Sequence, residues 1–86
     1  MTNRFDDLAK QWDSKLERVQ SAMKFVDYIK NDIKEDISSF KICDYGSGSG
    51  LVSFGFANDV QFIEGLDFSK GMVDRYNEKV KSLNFI

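Results

Sequence analysis

Apolar side chains recur at intervals of three and four residues through the longest patterned stretch of the chain. They are Leu16, Val19, Met23, Val26, Ile29 and Ile33. This spacing places them on one face of an α-helix. Ser14, with Glu17 three residues later, matches a capping box, in which the serine precedes the first helical turn. The pattern predicts a helix that begins after Ser14 and continues to about Asn31 or one turn beyond, with Met23 and Phe25 in the core.

Shorter helical patterns lie on either side of this helix. In residues 3–13 the apolar positions share one helical face, which predicts one or two amphipathic turns: Phe5, Leu8, Ala9 and Trp12. Near the C-terminus, Ser69 is a residue type that caps helices well. It is followed by a second apolar stripe: Met72, Val73, Tyr76, Val80 and Leu83. We therefore predict a final helix that Ser69 caps.

Two apolar runs, residues 40–45 and 60–67, have the character of β-strands. The first is almost continuously apolar, which is typical of a parallel strand that is covered on both faces. Residues 51–57 alternate in a way that favours a strand, but parallel strands need a crossover and this is the only segment available for it. We therefore predict a short helix there. The result is an α/β fold, with a helical N-terminal cap (1–39) and a βαβα unit with parallel strands (40–86).

Composition excludes several classes of function. The 86 residues allow one small domain, and they include one cysteine and no histidine, so an intrachain disulfide or a zinc cluster is not expected. The net charge of −2, with acidic and basic residues interspersed, is unlike a nucleic-acid-binding surface. The apolar runs are shorter than the ~20 residues of a membrane span. A lone cysteine without a signal-like start suggests a cytoplasmic protein.

The candidate chemistry lies where the two strands end. The first strand leads into Asp44-Tyr45-Gly46-Ser47-Gly48-Ser49-Gly50, and Asp67 ends the second strand, 21 positions after Gly46. Glycines in a strand–loop–helix connection allow close approach of a ligand and present backbone N–H groups in a concave cradle. An acid at the tip of the second strand is placed to accept the hydroxyls of a ribose. The pattern predicts a small, nucleotide-like ligand.

Other readings of these residues stay open from the sequence. A dinucleotide-dependent oxidoreductase would have G-x-G-x-x-G, but Leu51 occupies its third glycine position. No lysine or arginine lies between Lys41 and Lys70, so a pyrophosphate would find no partner there. The loop is alternatively a flexible connector, and the two acids are solvated strand tips. By the same reasoning Phe68 and Met72 are ordinary core, and Trp12 is a packing anchor.

The two motifs resemble those of class I S-adenosylmethionine-dependent methyltransferases. Residues 44–50 look like their acid-x-G-x-G-x-G motif, residues 65–69 with Met72 look like their ribose-binding motif, and residues 5–13 are similar to a helix that covers the cofactor. The resemblance implies a partial Rossmann-like methyltransferase fold and S-adenosylmethionine as cofactor. It implies that Asp67 holds the ribose hydroxyls and that Phe68 and Met72 border the adenine. Gly46 and Gly48 let the methionine part pass near the backbone of Ser47, and Leu51 is a further cofactor-binding residue. Trp12 closes over the methionine part, and Asp44 orients its amino group directly or through water.

The resemblance also indicates what this sequence does not contain. The family's sheet has seven strands and we predict two here, so we expect the C-terminal half of the domain, with its acceptor site, to be absent. The N-terminal element resembles that of many small-molecule methyltransferases, so the methyl acceptor is expected to be a small molecule, whereas the catalytic residues are unknown. We therefore expect that a second copy of the chain, or another chain that pairs with the exposed sheet edge, completes the sheet. The alternative is a non-catalytic nucleoside-binding or assembly module derived from a truncated methyltransferase.

Overall fold

The structure is a computed structural model that describes residues 4–82, and helices precede a strand–helix–strand–helix unit. The elements are α1 (Arg4–Leu8), a 3-10 helix (Ala9–Ser14), α2 (Leu16–Asp32), β1 (Lys41–Tyr45), α3 (Leu51–Phe56), β2 (Phe62–Leu66) and α4 (Lys70–Ser82). This order confirms the predicted fold class. The predicted inward position of Leu83 and the final residues 84–86 lie outside the described residues.

β1 and β2 pair in parallel, in a register that runs from Lys41 opposite Phe62 to Tyr45 opposite Leu66. The carboxyl ends of both strands therefore lie side by side at one edge of the sheet. α3 connects them, as the need for a crossover predicts, although the alternation within residues 51–57 favours a strand. Tertiary geometry overrides local propensity in this segment.

One face of the sheet is covered, and the other is exposed within the described chain. On the covered face, the Ser53 hydroxyl of α3 bonds to Asp44, and the ring of Tyr76 from α4 lies directly over Gly65. Alternate residues of both strands point away from these helices and are exposed. The prediction that β1 is covered on both faces is therefore wrong for residues 4–82, because α3 and α4 lie on the same side.

α2 packs against the short helix α3 through few of its apolar residues. Val26 is buried, and its methyl groups lie so close to Gly55 that a Cβ there would come within 2.7 Å of them. Met23 and Phe25 are 60% and 53% exposed, so their predicted place in the core is wrong. The reason is that α3 has six residues and covers only a narrow line along the longer helix.

The two predicted helix caps have different outcomes. At α4 the Ser69 hydroxyl accepts a hydrogen bond from the Met72 N–H at 3.2 Å, as predicted. At α2 the N-cap residue is Lys15, without a side-chain cap, and the Ser14 hydroxyl donates to the Gln11 carbonyl instead. The capping-box prediction is wrong because Ser14 ends the 3-10 helix and its hydroxyl bonds backward within it.

Residues 4–14, here called the N-terminal segment, pack against α4. The Asp6 carboxylate accepts hydrogen bonds from the Ser69 hydroxyl and from the Gly71 N–H at 2.7 Å. A Cβ on residue 71 would meet the Asp6 backbone at 2.8 Å, so glycine permits this approach. The contact places Phe5 and Trp12, whose ring centroids are 5.8 Å apart, near the carboxyl ends of the strands.

Candidate functional site

The loop between β1 and α3 depends on its glycines. Gly46, Gly48 and Gly50 have φ values of 71°, 56° and 93°, a region in which residues with a Cβ are strained. Gly50 also has no room for a Cβ, which would lie 2.7 Å from the rings of Phe54 and Tyr76. At Gly46 a Cβ would meet nothing within 4 Å. The loop is therefore a fixed turn that leaves open space beside Gly46.

The first N–H groups of this loop bond to the end of β2. Those of Gly46 and Ser47 donate to the Leu66 carbonyl at 2.7 and 2.9 Å, and that of Gly48 donates to the Asp67 carboxylate at 2.9 Å. The expected cradle of free N–H groups is therefore wrong for these three residues, because the neighbouring strand already satisfies them. A phosphate beside Gly46 and Gly48 would therefore not be held by these three N–H groups.

Asp67 connects the glycine loop to the start of α4. One carboxylate oxygen accepts the Gly48 N–H, and the other accepts the Ser69 N–H at 2.8 Å. Each oxygen of an ionised carboxylate has a second lone pair, so both can accept one more hydrogen bond. The half-buried side chain thus has a fixed orientation and spare acceptor capacity.

A cavity of about 540 Å³, here called the cleft, lies between the N-terminal segment and the carboxyl ends of the strands. Most of its lining is apolar or aromatic. Met72 lies at its inner side, only 2% exposed, and Phe68 lies at its rim, 90% exposed. The lining residues are Phe5, Trp12, Tyr45, Gly46, Gly48, Leu66, Asp67, Phe68 and Met72.

A second cavity of about 410 Å³ lies on the α2 side of the glycine loop. Trp12, Gly46 and Gly48 line both cavities, so the two meet along the loop backbone. Ser47 and Leu51 line only the second one. The structure therefore brings eight of the nine residues predicted from the sequence to one connected region.

Asp44 is the ninth predicted residue, and it lines neither of these cavities. Its carboxylate accepts a hydrogen bond from the Ser53 hydroxyl at 2.6 Å. It borders a separate, mainly apolar cavity between the sheet and α2. A ligand contact of Asp44 stays a prediction, and the bond that the structure shows instead ties β1 to α3.

Sequence reasoning did not single out several residues that line the site. In the cleft these are Phe5, Tyr45 and Leu66; Tyr45 directly precedes the first glycine, and Phe5 shares the predicted face of Trp12, so both carried a local signal. In the second cavity they are Glu17, Arg18, Ser21, Ala22, Ser49 and Val52. The four of these residues that lie on α2 have no local signal in the sequence, because their placement in the cavity depends on how the helix packs.

Asp13 anchors the other end of the N-terminal segment. Its carboxylate accepts hydrogen bonds from the Ser49 hydroxyl of the loop and from the Lys79 ammonium of α4, the latter at 2.7 Å. Burial raises the pKa of Asp13, but these two hydrogen bonds and the positive charges of Lys79 and Arg75 outweigh burial, so the pKa lies below its usual 3.8. The ionised form is therefore the one that the fold stabilises.

We expect Asp13→Asn to lower the free energy of unfolding by about 1–2 kcal/mol at neutral pH, between the values for exposed and buried ion pairs. Because the folded pKa of Asp13 is depressed, its contribution is complete above pH 3.8 and is lost as the pH falls through the folded pKa. Urea unfolding at several pH values checks this. The difference in the free energy of unfolding between the wild type and the variant is expected to disappear in the acid range.

Asp74→Asn is the matched control, because Asp74 pairs with Lys70 on the exposed surface of α4. Such pairs contribute about 0–1 kcal/mol. An Asp13 variant no less stable than this control at neutral pH would contradict the anchoring role.

Within residues 4–82 the aspartate, glutamate and cysteine side chains form no group of three that could hold a metal ion. Among the helices of this part of the chain, none has the length and apolar character that crossing a membrane requires.

The arrangement of these elements is similar to that in two solved structures. The first is from Methanococcus maripaludis and is provisionally assigned as an S-adenosyl-L-methionine-dependent methyltransferase; it is 26% identical, with a TM-score of 0.76, and the match covers 98% of this chain and 39% of that one. The second is the YcgJ protein of Bacillus subtilis, which is 22% identical, with a TM-score of 0.64, over 78% of this chain and 27% of that one. No family model and no curated protein matches the sequence.

The comparisons confirm the resemblance to class I methyltransferases, with helices followed by two parallel strands of a partial Rossmann-like fold. This chain spans 39% and 27% of the length of the two proteins. The similarity therefore concerns the part of the fold that carries the glycine loop and Asp67.

Proposed function

We propose that this chain binds S-adenosylmethionine and forms the cofactor-binding part of a methyltransferase. The observation that carries the proposal is the cleft at the carboxyl ends of β1 and β2, which joins the Gly46–Gly48 backbone to the Asp67 carboxylate. Ligands of open α/β sheets bind at this edge. The similarity to a structure assigned as a methyltransferase supports the same ligand.

The lining of the cleft fits an adenosine better than a phosphorylated nucleotide. Among residues 4–82 this lining is mainly apolar and aromatic, and Asp67 is the one charged residue in it, without a cation beside it. A diphosphate would face this carboxylate without a positive partner, whereas ribose hydroxyls would donate to the free lone pairs of Asp67. In addition, the N–H groups of Gly46, Ser47 and Gly48 already donate to other groups of the protein, so they do not bind the phosphates of a dinucleotide.

In this proposal each residue has a role that its position supports. Asp67 accepts the ribose hydroxyls, and Phe68 and Met72 border the adenine. Gly46 leaves the space into which a Cβ would project, so a ligand can lie against the loop. The rest of the ligand passes Trp12 toward the second cavity, where Ser47 and Leu51 lie.

The bound cofactor would supply a methyl group on a sulfonium, which an acceptor attacks. The part of the enzyme in this chain positions the donor and excludes water from one side of it, because the N-terminal segment covers the loop. The acceptor, proposed to be a small molecule, and any base that deprotonates it are not assigned to residues 4–82.

Isothermal titration calorimetry with S-adenosylmethionine and S-adenosylhomocysteine tests the proposal. We expect saturable binding of both, and no binding of NAD⁺ or ATP at the same concentrations, because the described lining of the cleft offers a diphosphate no cation. Binding of NAD⁺ without binding of S-adenosylhomocysteine would overturn the proposal in favour of a dinucleotide-binding protein.

A further inference from the structure

The face of the sheet that α3 and α4 leave uncovered carries large apolar side chains. Tyr45 is 75% exposed, Phe62 is 52% exposed and Leu66 is 42% exposed, and the Cys43 side chain is exposed as well. An apolar sheet face is normally buried against another layer of structure, and an exposed one marks an interaction surface. Six residues form this surface, here called the open face: Lys41, Cys43, Tyr45, Phe62, Glu64 and Leu66.

Two opposite charges lie on a diagonal of the open face. Lys41 is beside Phe62 in the register of the two strands. Cys43 is beside Glu64, so the four residues form the corners of a rectangle of about 5 Å by 7 Å. The two charged residues occupy one diagonal of it. Within residues 4–82 neither charge takes part in an ion pair, so both are available to a partner.

This arrangement is complementary to itself under a two-fold rotation. Two copies can face each other across an axis that follows the Cys43–Phe62 diagonal. Lys41 of each copy then lies close to Glu64 of the other, and the same ion pair forms twice, as a two-fold interface requires. The strands of the two sheets cross steeply in this arrangement, which is the orthogonal type of sheet packing.

Other positions of the axis through the same rectangle are unfavourable. Along the Lys41–Glu64 diagonal, each charge would face the same charge of the other copy, and like charges repel. With the axis parallel or perpendicular to the strands, each charge would face an apolar side chain and lose hydration without a partner. The two charges therefore select one orientation.

We propose that the open face is a homodimer interface, in which Lys41 and Glu64 form two reciprocal ion pairs about a two-fold axis near Cys43 and Phe62. This inference goes beyond the proposed function, because it involves no ligand. The partner is a second copy, since the face is complementary to itself in both charge and apolar surface. The apolar side chains supply the affinity, and the charges set the orientation.

The interface is small, so we expect a dissociation constant of about 10–100 μM. Measurements of stability at a chain concentration of about 1 μM therefore concern the monomer.

Sedimentation velocity at increasing concentrations of the 86-residue chain tests the proposal. We expect a monomer–dimer equilibrium for the wild type. Lys41→Glu or Glu64→Lys alone places like charges opposite each other at two symmetric contacts, and should weaken the dimer by about ten- to a hundredfold. The variant with both reversals exchanges the charges and should recover the wild-type affinity to within about threefold.

Lys24→Glu is the matched control for these variants. It changes the net charge as Lys41→Glu does, at an exposed position of α2. This helix packs against α3, on the covered side of the sheet, so the equilibrium should not change. Circular dichroism checks that each variant is folded.

Cross-linking through Cys43 is a second measurement that needs no charge reversal. Facing sheets lie about 10 Å apart, so the two thiols near the axis are within reach of a short bismaleimide. We expect the wild type to form a covalent dimer with this reagent. A chain with Cys43→Ser and Lys24→Cys carries its thiol on α2 instead and should stay uncross-linked.

A wild type that remains monomeric up to about 1 mM, ten times the upper expected dissociation constant, would overturn the proposal. A dimer that neither single reversal weakens would also overturn it. So would a double variant that associates no better than the single ones, because the two charges would then not face each other. Equal cross-linking at positions 43 and 24 would contradict the position of the axis.

Discussion

Gly50→Ala is expected to destabilise the fold by about 3 kcal/mol, the sum of left-handed backbone strain and overpacking. Gly50 has a φ of 93°, and an added Cβ would lie 2.7 Å from the rings of both Phe54 and Tyr76. These rings pack together, with centroids 5.2 Å apart, and link α3 to α4, so neither can move without disturbing the other. Urea unfolding followed by circular dichroism measures the loss.

Gly46→Ala is the matched control for this prediction. It has a similar positive φ of 71°, but its added Cβ would meet nothing within 4 Å, so only backbone strain of about 1–2 kcal/mol is expected. The difference between the two variants isolates the contact with the rings. Equal destabilisation would show that the packing of Phe54 and Tyr76 is not what requires glycine at position 50.

Asp67→Asn is expected to weaken the binding of S-adenosylhomocysteine by about a hundredfold, because two hydrogen bonds from ribose to a charged acceptor are lost or weakened. The amide has one acceptor oxygen where the carboxylate has two. Its NH₂ group therefore faces the N–H of either Gly48 or Ser69, both of which Asp67 accepts in the structure. We expect a loss of stability of about 1–3 kcal/mol from that unpaired donor, so calorimetry and urea unfolding are measured together.

Glu64→Gln provides the comparison for Asp67→Asn. Glu64 lies on the exposed face of β2 and lines neither the cleft nor the second cavity, so both stability and affinity should be retained. Urea unfolding shows whether the Asp67 variant is folded in the calorimetry buffer. A folded Asp67 variant with normal affinity would contradict the role of this carboxylate in the site.

The order of elements could be predicted because all of them except α3 have a local signal in the sequence. The spacing of apolar residues in α2, the cap at Ser69 and the two strands that lead to Asp44 and Asp67 are all visible in the sequence. α3 required a topological argument, since its alternating residues favour a strand. Because parallel strands need a crossover connection, a helix is predicted there, and the structure has one.

The parts that the sequence could not predict depend on long-range contacts. Asp6 bonds to residues 63 and 65 positions away, and Asp13 to Lys79, 66 positions away; neither aspartate has a local motif. Arg18 becomes part of the site only because the N-terminal segment brings the Trp12 ring against it. Similarly, the exposure of Met23 and Phe25 follows from the small size of α3, which the helical periodicity does not report.

The hydrogen bond from the Gly48 amide to Asp67 has a spectroscopic consequence. Any hydroxyl that donates to this carboxylate withdraws electron density from the same oxygen pair, so the amide proton of Gly48, which donates to it, should shift in ¹⁵N-correlated NMR spectra. By linkage, a rigid turn at Gly48 also favours ligand capture. The amide resonance of one glycine thus reports occupancy and loop order at once.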